Sequence, residues 1–295
     1  MNTVGQIERL TQNRIVRLFR DELKYTYLGN WEDRTNNSNI EEELLTNYLA
    51  KKGYSPTLIT KALYEIRVTA NNYNESLYTN NKNIYKLLRY GVQVKAKAGE
   101  NYEPVKLIDW KEPEENDFAI AEEVTIQGNR EKRPDIVLYV NGIALGVLEL
   151  KRSTVSIGDG IRQSIVNQQK EFIGSFFSTV QFVLAGNNTE GLSYGTIGTP
   201  EKFFLKWKED VEDVSCLPLD KYLLKICNKK RLIEIIYDFV LFDGGIKKLP
   251  RAHQYFGTKA AQEHIRRREG GIIWHTHGSG KSIVMVLLAK WILEN

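Results

Sequence analysis

Apolar residues recur at near-helical spacing in IERLTQNRIVRLFRDELKY (Ile7, Leu10, Ile15, Leu18, Leu23), so the first hundred residues are predicted to be mainly helical. The polar, asparagine-rich GNWEDRTNNSN interrupts that pattern. IEEELLTNYLAKKGY then reads as another helix, closed by Gly53 after two lysines that suit the negative end of its dipole. From about Phe118 the period changes to two, and DFAIAEEVTIQG and RPDIVLYVNGIALGVLELK read as strands. A helix follows at about Asp159 to Phe176, and the continuous apolar run of TVQFVLAGN predicts a strand buried on both faces. NNTEGLSYGTIGTPEK reads as a loop or irregular hairpin, and DKYLLKICNKKRLIEIIYDFVLF as a helix. DGGIKKLPR, with two glycines and a proline between two periodic segments, reads as a linker. The expected fold is α/β, a mixed central sheet flanked by helices. Its parts are a helical region at 1–110 packing on a core at 111–243, a linker at 244–250, and a further unit at 251–295.

Composition narrows the class. At 295 residues, with 42% hydrophobic and 26% charged residues, the chain reads as globular, with length for about two domains. A net charge of +4 is too mild to argue by itself for a polyanionic partner, so local clusters must carry that case. Two such clusters are NREKR (Arg130, Lys132, Arg133) and HIRRRE (Arg266 to Arg268). Cys216 and Cys227 make neither a disulfide framework nor a zinc motif and are expected to be plain thiols. No apolar run reaches the ~18 residues of a membrane span, and MNTVGQIERL lacks the core of a signal peptide, so a cytoplasmic protein without membrane contact is expected.

The apolar hairpin from Arg133 to Lys151 carries Asp135, Glu149 and Lys151 at its open end. Period-two geometry points Glu149 and Lys151 to one face, with Leu150 behind them. Whether Asp135 joins them depends on register. With Asn141-Gly142 as a simple two-residue loop and an unbroken ladder, Asp135 would face away from Glu149. The turn is therefore expected not to be a plain two-residue one: a three-residue loop or a single bulge restores the shared face. Two carboxylates at one point repel unless a hard cation lies between them, and Mg²⁺ held by one or two carboxylates keeps open positions for water. Such a cation activates water and neutralises charge on a scissile phosphate, and Lys151 is placed to orient the water or stabilise the transition state.

GGIIWHTHGSGKSIVMVLLAKWILE reads as a strand from Gly271 to Trp274, a glycine-rich turn and a helix from about Lys281. That is the setting of a phosphate-binding loop. Gly278, Ser279 and Gly280 let backbone N–H groups approach phosphates, Lys281 reaches the terminal phosphates, and Ser282 can ligate Mg²⁺. His275 stands where the strict pattern has glycine. Neither His275 nor His277 is assigned a metal.

RPDIVLYVNGIALGVLELK resembles the nuclease motif of the restriction (R) subunit of type I restriction-modification enzymes, a branch of the PD-(D/E)xK fold. The similarity extends through IRQSIVNQQKEF, TVQFVLAGNNTEGLSYGT and KFFLKWKE, and HQYFGTKAAQEHIRRREGGIIWHTHGSGKS resembles the same family's entry into its superfamily 2 motor, where the His275 position is relaxed. The resemblance implies that Asp135 and Glu149 bind Mg²⁺, that Lys151 assists the attacking water, and that Gln163 belongs to the site. Asn167 occupies a position where many members carry Tyr. An earlier helix often lends another acid, for which Glu42 is the best match. Gln254 matches the glutamine that reads adenine, which makes ATP the expected nucleotide. Implied partners are double-stranded DNA and the methylase (M) and specificity (S) subunits. About 45 residues after the linker are too few for a whole motor, and no DEAH-like segment occurs, so the chain is expected to be a truncated portion of a longer R subunit. ATP hydrolysis and translocation are then expected of the intact protein rather than of these residues. Other readings are a stand-alone nuclease and a non-catalytic fragment that docks on partner subunits.

Overall fold

The computed structural model describes residues 3–209 and 216–294. Its centre is a seven-stranded mixed sheet in the order β1-β4-β5-β6-β7-β8-β9. These strands are β1 (Thr26–Asn30), β4 (Phe118–Glu122), β5 (Ile136–Val140), β6 (Ile143–Leu150), β7 (Phe182–Asn187), β8 (Gly191–Gly195) and β9 (Leu205–Lys206). β4, β5 and β6 form an antiparallel meander, while β6 and β7 are parallel and are joined through α5 (Ile157–Asn167). Every residue of β5, β6 and β7 is buried, as strands covered on both faces should be.

Side chains alternate between two cores. Ile136, Leu138, Val140, Leu148 and Leu150 enter a large cluster with α1 (Thr3–Arg17), α2 (Glu42–Lys51), α3 (Pro56–Ala70), α4 (Leu77–Tyr90), α6 (Pro218–Ile226) and α7 (Lys229–Phe239). Val137, Tyr139, Ala144 and Val147 enter a second cluster with Ile173, Phe176 and Phe177. Each fully buried Leu, Ile or Val contributes about 1.5–3 kcal/mol, so these two layers dominate the stability of the hairpin.

The turn differs from the sequence expectation. Val140 pairs with Ile143 across Asn141 (φ 53°) and Gly142 (φ 81°), a plain two-residue turn with both residues left-handed. The odd residue lies inside β6 instead: Tyr139 pairs with Ala144 but Leu138 with Gly146, leaving Leu145 as a bulge. Asn141 suits this turn because its carboxamide accepts from Asp117 N (2.7 Å) and donates to Leu107 O (2.9 Å).

Other elements shift for identifiable reasons. The region expected to be helical, 1–110, also contains β1 and the small β2 (Val92–Val94) and β3 (Glu103–Val105) pair. β1 is short and lies at the sheet edge, mostly exposed, so its alternation is weak. The helix expected to reach Phe176 ends at Asn167; a Cβ at Gly174 would lie 2.7 Å from Gln168 O, so the chain can fold back there only through glycine. The single helix expected after Asp220 is two, because Asn228 caps α7 by accepting from Arg231 N (3.2 Å). The segment read as a linker forms a hairpin, β10 (Leu241–Asp243) with β11 (Ile246–Lys248), turning at Gly244 and Gly245, both left-handed.

In the C-terminal unit, α8 (Ala252–Arg266) packs along α9 (Lys281–Glu294). Gly271–Trp274, expected as a strand, has no ladder partner among the described residues, and Ile272 and Trp274 are 91% and 89% exposed. A strand needs a neighbour to satisfy its backbone, and this unit supplies none. α9 is fastened to the rest of the molecule by Glu294 on the buried Arg89 and by Lys290 Nζ on Tyr237 O (3.0 Å).

Candidate active site

The bulge at Leu145 decides what the hairpin presents. It moves Val147, Glu149 and Lys151 onto the face that carries Val137 and Tyr139, and continuing the pairing of Ile136 with Leu148 sets Asp135 opposite Glu149. Asp135 Oδ2 accepts from Leu150 N at 2.6 Å, which fixes its carboxyl across the pair. Glu149 is fully buried. Its neighbour on β7 is Ala185, and α5 passes over both at Gly160, where a Cβ would lie 3.4 Å from Ala185 and 3.6 Å from Glu149. The small residues at 185 and 160 are what let α5 come this close.

That approach brings two carboxamides onto Glu149. Gln163 Nε2 donates to Glu149 Oε2 at 2.8 Å, and Asn167 Nδ2 donates to Oε1 at 3.3 Å. Gln163 Oε1 also accepts from Lys151 Nζ at 2.9 Å, so one side chain bridges the acid and the lysine. Asn167 Oδ1 is buried without a partner.

Removal from water pushes Asp135 up to about 6, against the hydrogen bond from Leu150 N and the nearby Lys151 charge. Burial and then the Asp135 charge push Glu149 well above the usual carboxylate range, with Lys151 opposing. Without a cation, the pair therefore tends to hold protons. Among the described residues no group of three or more His, Cys, Asp or Glu side chains is arranged to hold a metal. Two facing carboxylates are a donor set of the kind Mg²⁺ takes, one or two carboxylates with water in its other positions.

A third acid comes from α1. Glu8 Oε1 lies 3.8 Å from Lys151 Nζ. One helical turn later, Gln12 Nε2 donates to Glu122 Oε2 (3.2 Å) and to Asp135 O (3.4 Å), fixing the helix on the hairpin's open end. Glu42, expected at the site, is not there. It pairs with Arg67 (3.1 Å) at the start of α2, and that helix start abuts the Gly142 turn, where Glu41 N donates to Gly142 O. Six strand residues, 143–148, separate that turn from Glu149, roughly 20 Å. No local pattern in the sequence marks Glu8, whose contact with Lys151 spans the chain from α1 to the end of β6, whereas the acidic run Glu41–Glu43 opens a helix.

The phosphate-loop residues form a second locality. Gly278 (φ 75°) and Gly280 (φ 85°) are left-handed, and a cavity of 540 Å³ adjoins Gly278, Ser279, Gly280, Lys248, Arg251 and Gln254. Gln254 is buried, with Nε2 on Ser279 O (3.0 Å) and Oε1 on Arg251 N (2.9 Å), so it ties α8 to the loop. Lys281 Nζ donates to His275 O (3.3 Å), and Ser282 is exposed. Of the basic clusters, Arg133 is engaged by Glu32 and Glu123, and Arg267 by Glu269 (3.0 Å).

The model of the family described as type I restriction enzyme R protein N terminus matches residues 6–202, more than half of the chain. The chain belongs to this family. Residues 253–295 match the SWI2/SNF2 ATPase family model, which covers the phosphate loop and α9. The chain is 27% identical over 297 residues to a putative type I restriction enzyme MjaIXP endonuclease subunit of Methanocaldococcus jannaschii, covering 86% of this chain and 28% of the relative. It is 30% identical over 240 residues to the type I restriction enzyme HindI endonuclease subunit of Haemophilus influenzae, covering 74% and 23%. A Staphylococcus saprophyticus relative, the type I restriction enzyme SsaAORF53P endonuclease subunit, is 24% identical over 61% of this chain and 20% of its own length. The chain therefore spans between a fifth and little more than a quarter of the curated R proteins it matches. The R-protein family match takes in Asp135, Glu149, Lys151, Gln163 and Glu8. No helix of the described residues is long and apolar enough to cross a membrane.

Proposed function

We propose that the chain is the nuclease portion of a type I restriction enzyme R subunit and that it hydrolyses phosphodiester bonds of double-stranded DNA with Mg²⁺. One observation carries this reading: the bulged register sets Asp135 against Glu149 while Gln163 bridges Glu149 to Lys151. Asp135 and Glu149 would hold the cation. When bound, Mg²⁺ supplies water activation and neutralisation of phosphate charge. The chain's own groups do the rest. Lys151, held by Gln163, places an ammonium where charge develops on the phosphate and orients the attacking water. Gln163 and Asn167 donate to both oxygens of Glu149 and so favour its ionised form against burial. Glu8, rather than Glu42, is the acid lent by the first helix.

The second locality fits ATP. Gly278, Ser279 and Gly280 would cradle phosphates, with Lys281 and Ser282 at the terminal phosphates and their Mg²⁺. Gln254 is placed at the loop's base. ATP-driven translocation, methylase and specificity partners, and a cytoplasmic setting belong to the same proposal for the whole protein. Cleavage of plasmid DNA with Mg²⁺, by the chain alone and with its partner subunits and ATP, tests it. Asp135→Ala and Lys151→Ala should each reduce cutting by about 10²-fold or more, whereas equal cutting by all three proteins would end the catalytic assignment.

A further inference from the structure

A cavity of 430 Å³ lies between the α3–α4 connection, the β4–β5 connection and the loop after α5. Its lining carries carboxamides, Asn71, Asn72 and Asn80 on one side and Gln127, Asn129 and Gln168 on the others, with Phe172 as an aromatic wall. Asn80 is 7% exposed; its Nδ2 donates to Asn72 O (2.8 Å), but its Oδ1 is buried without a partner. Asn129 Nδ2 donates to Lys170 O (2.9 Å), which holds the two loops together at the cavity. Lys132 Nζ stands 4.5 Å and the Arg130 guanidinium 5.8 Å from the Phe172 ring centroid.

We propose that this cavity binds one unpaired nucleobase of a DNA strand. A carboxamide presents donor and acceptor side by side, the arrangement that pairs with adjacent groups on a base edge. The orphan Asn80 Oδ1 calls for an N–H donor, which an exocyclic amino group supplies. Phe172 offers a stacking face, and Lys132, Arg130 and Lys170 meet the flanking phosphates. Glu75 on the rim repels phosphate and directs the backbone to the Lys132 side. The volume lies within the range of about 300–1,000 Å³ for small-ligand sites. Chain continuity links the cavity to the carboxylates: Asn129, Arg130 and Lys132 lie on the connection that ends at Asp135, and Gln168 follows Asn167, which holds Glu149. The inference deepens the nuclease reading and rests on it for the identity of the strand.

The test is fluorescence anisotropy of the full 295-residue chain, without divalent cation, on a labelled single-stranded oligonucleotide and on an abasic strand of equal length. The chain is expected to bind the base-bearing strand about tenfold more tightly, as one stacked base allows. Phe172→Leu keeps the apolar packing but removes the ring and should abolish that preference. Asn129→Ala, at an exposed position, should weaken it. Both should leave binding of the abasic strand unchanged. No preference in the unaltered chain, or a full preference in Phe172→Leu folded as judged by circular dichroism, overturns the proposal; if Phe172→Leu does not fold, full preference in Asn129→Ala does so. A parallel Mg²⁺ cleavage assay separates the two readings. Loss of cutting in Asp135→Ala with base preference intact in Phe172→Leu removes the cavity and leaves the nuclease; the reverse pattern removes the nuclease and leaves the cavity.

Discussion

Burial pushes the Asp135 carboxyl up to about 6 in the folded chain, from ~3.9 when unfolded. Between those values the folded state binds more protons, so this carboxyl costs stability progressively as pH rises from ~4 to ~6, and the penalty persists above. Glu149 shifts in the same direction and adds to it. Without a cation, Asp135→Asn should therefore raise stability at neutral pH, by about 1–3 kcal/mol, read by urea unfolding; a destabilised variant would mean that burying the Asp135 charge carries no such penalty. Because a cation must displace those protons, the Tm increase given by Mg²⁺ should be large near pH 8 and small near pH 5. Equal increases at both would contradict the assignment. Gln163 is the residue through which acid and lysine are coupled, and Gln163→Ala should lower cleavage by about 10²-fold while leaving Tm within a few degrees. Asp135, Glu149 and Lys151 were legible in the sequence because a P-D and an E-x-K flank two apolar strands. Glu8 was not, because a contact between residues so far apart leaves no local pattern.

At the scale of elements, α5 reaches Glu149 only because Gly160 and Ala185 are small. The 3.4–3.6 Å spacing is ordinary contact, so Gly160→Ala should fit and, by helix propensity, stabilise by about 0.5–1 kcal/mol in a denaturant titration. Gly160→Leu should lift α5 away, separating Gln163 and Asn167 from Glu149 and reducing cleavage. If Gly160→Leu cuts DNA as the unaltered chain does, the carboxamide contacts are dispensable. The hairpin shows where sequence reasoning stops. Asn141-Gly142 signals a left-handed two-residue turn, and that turn forms; the register change needed to join Asp135 to Glu149 is instead absorbed at Leu145. A bulge between apolar residues has no compositional mark, since Leu145 is buried whichever core it enters. The segment 243–251 misled for the opposite reason: two glycines and a proline punctuate a linker and a hairpin equally well.

At the scale of the molecule, Lys247 pins that hairpin. Its ammonium is buried and donates to Asn81 Oδ1 (2.8 Å) and Gln181 Oε1 (2.6 Å), with burial holding its pKa well below the usual lysine value. Lys247→Ala leaves both acceptors unpaired and should cost about 1–3 kcal/mol of unfolding free energy. The sheet order, with α5 crossing between parallel β6 and β7, was only partly legible, because alternation identifies strands but does not say which neighbours pair. The rigid hairpin holds Asp135 and Glu149 on one face, the pair proposed to hold a divalent cation. Calorimetric titration of Mg²⁺ into the full chain at neutral pH, beside the double variant Asp135→Asn/Glu149→Gln, measures that binding directly. A saturable binding heat that is absent from the folded variant is expected; the same heat in both proteins would contradict the assignment.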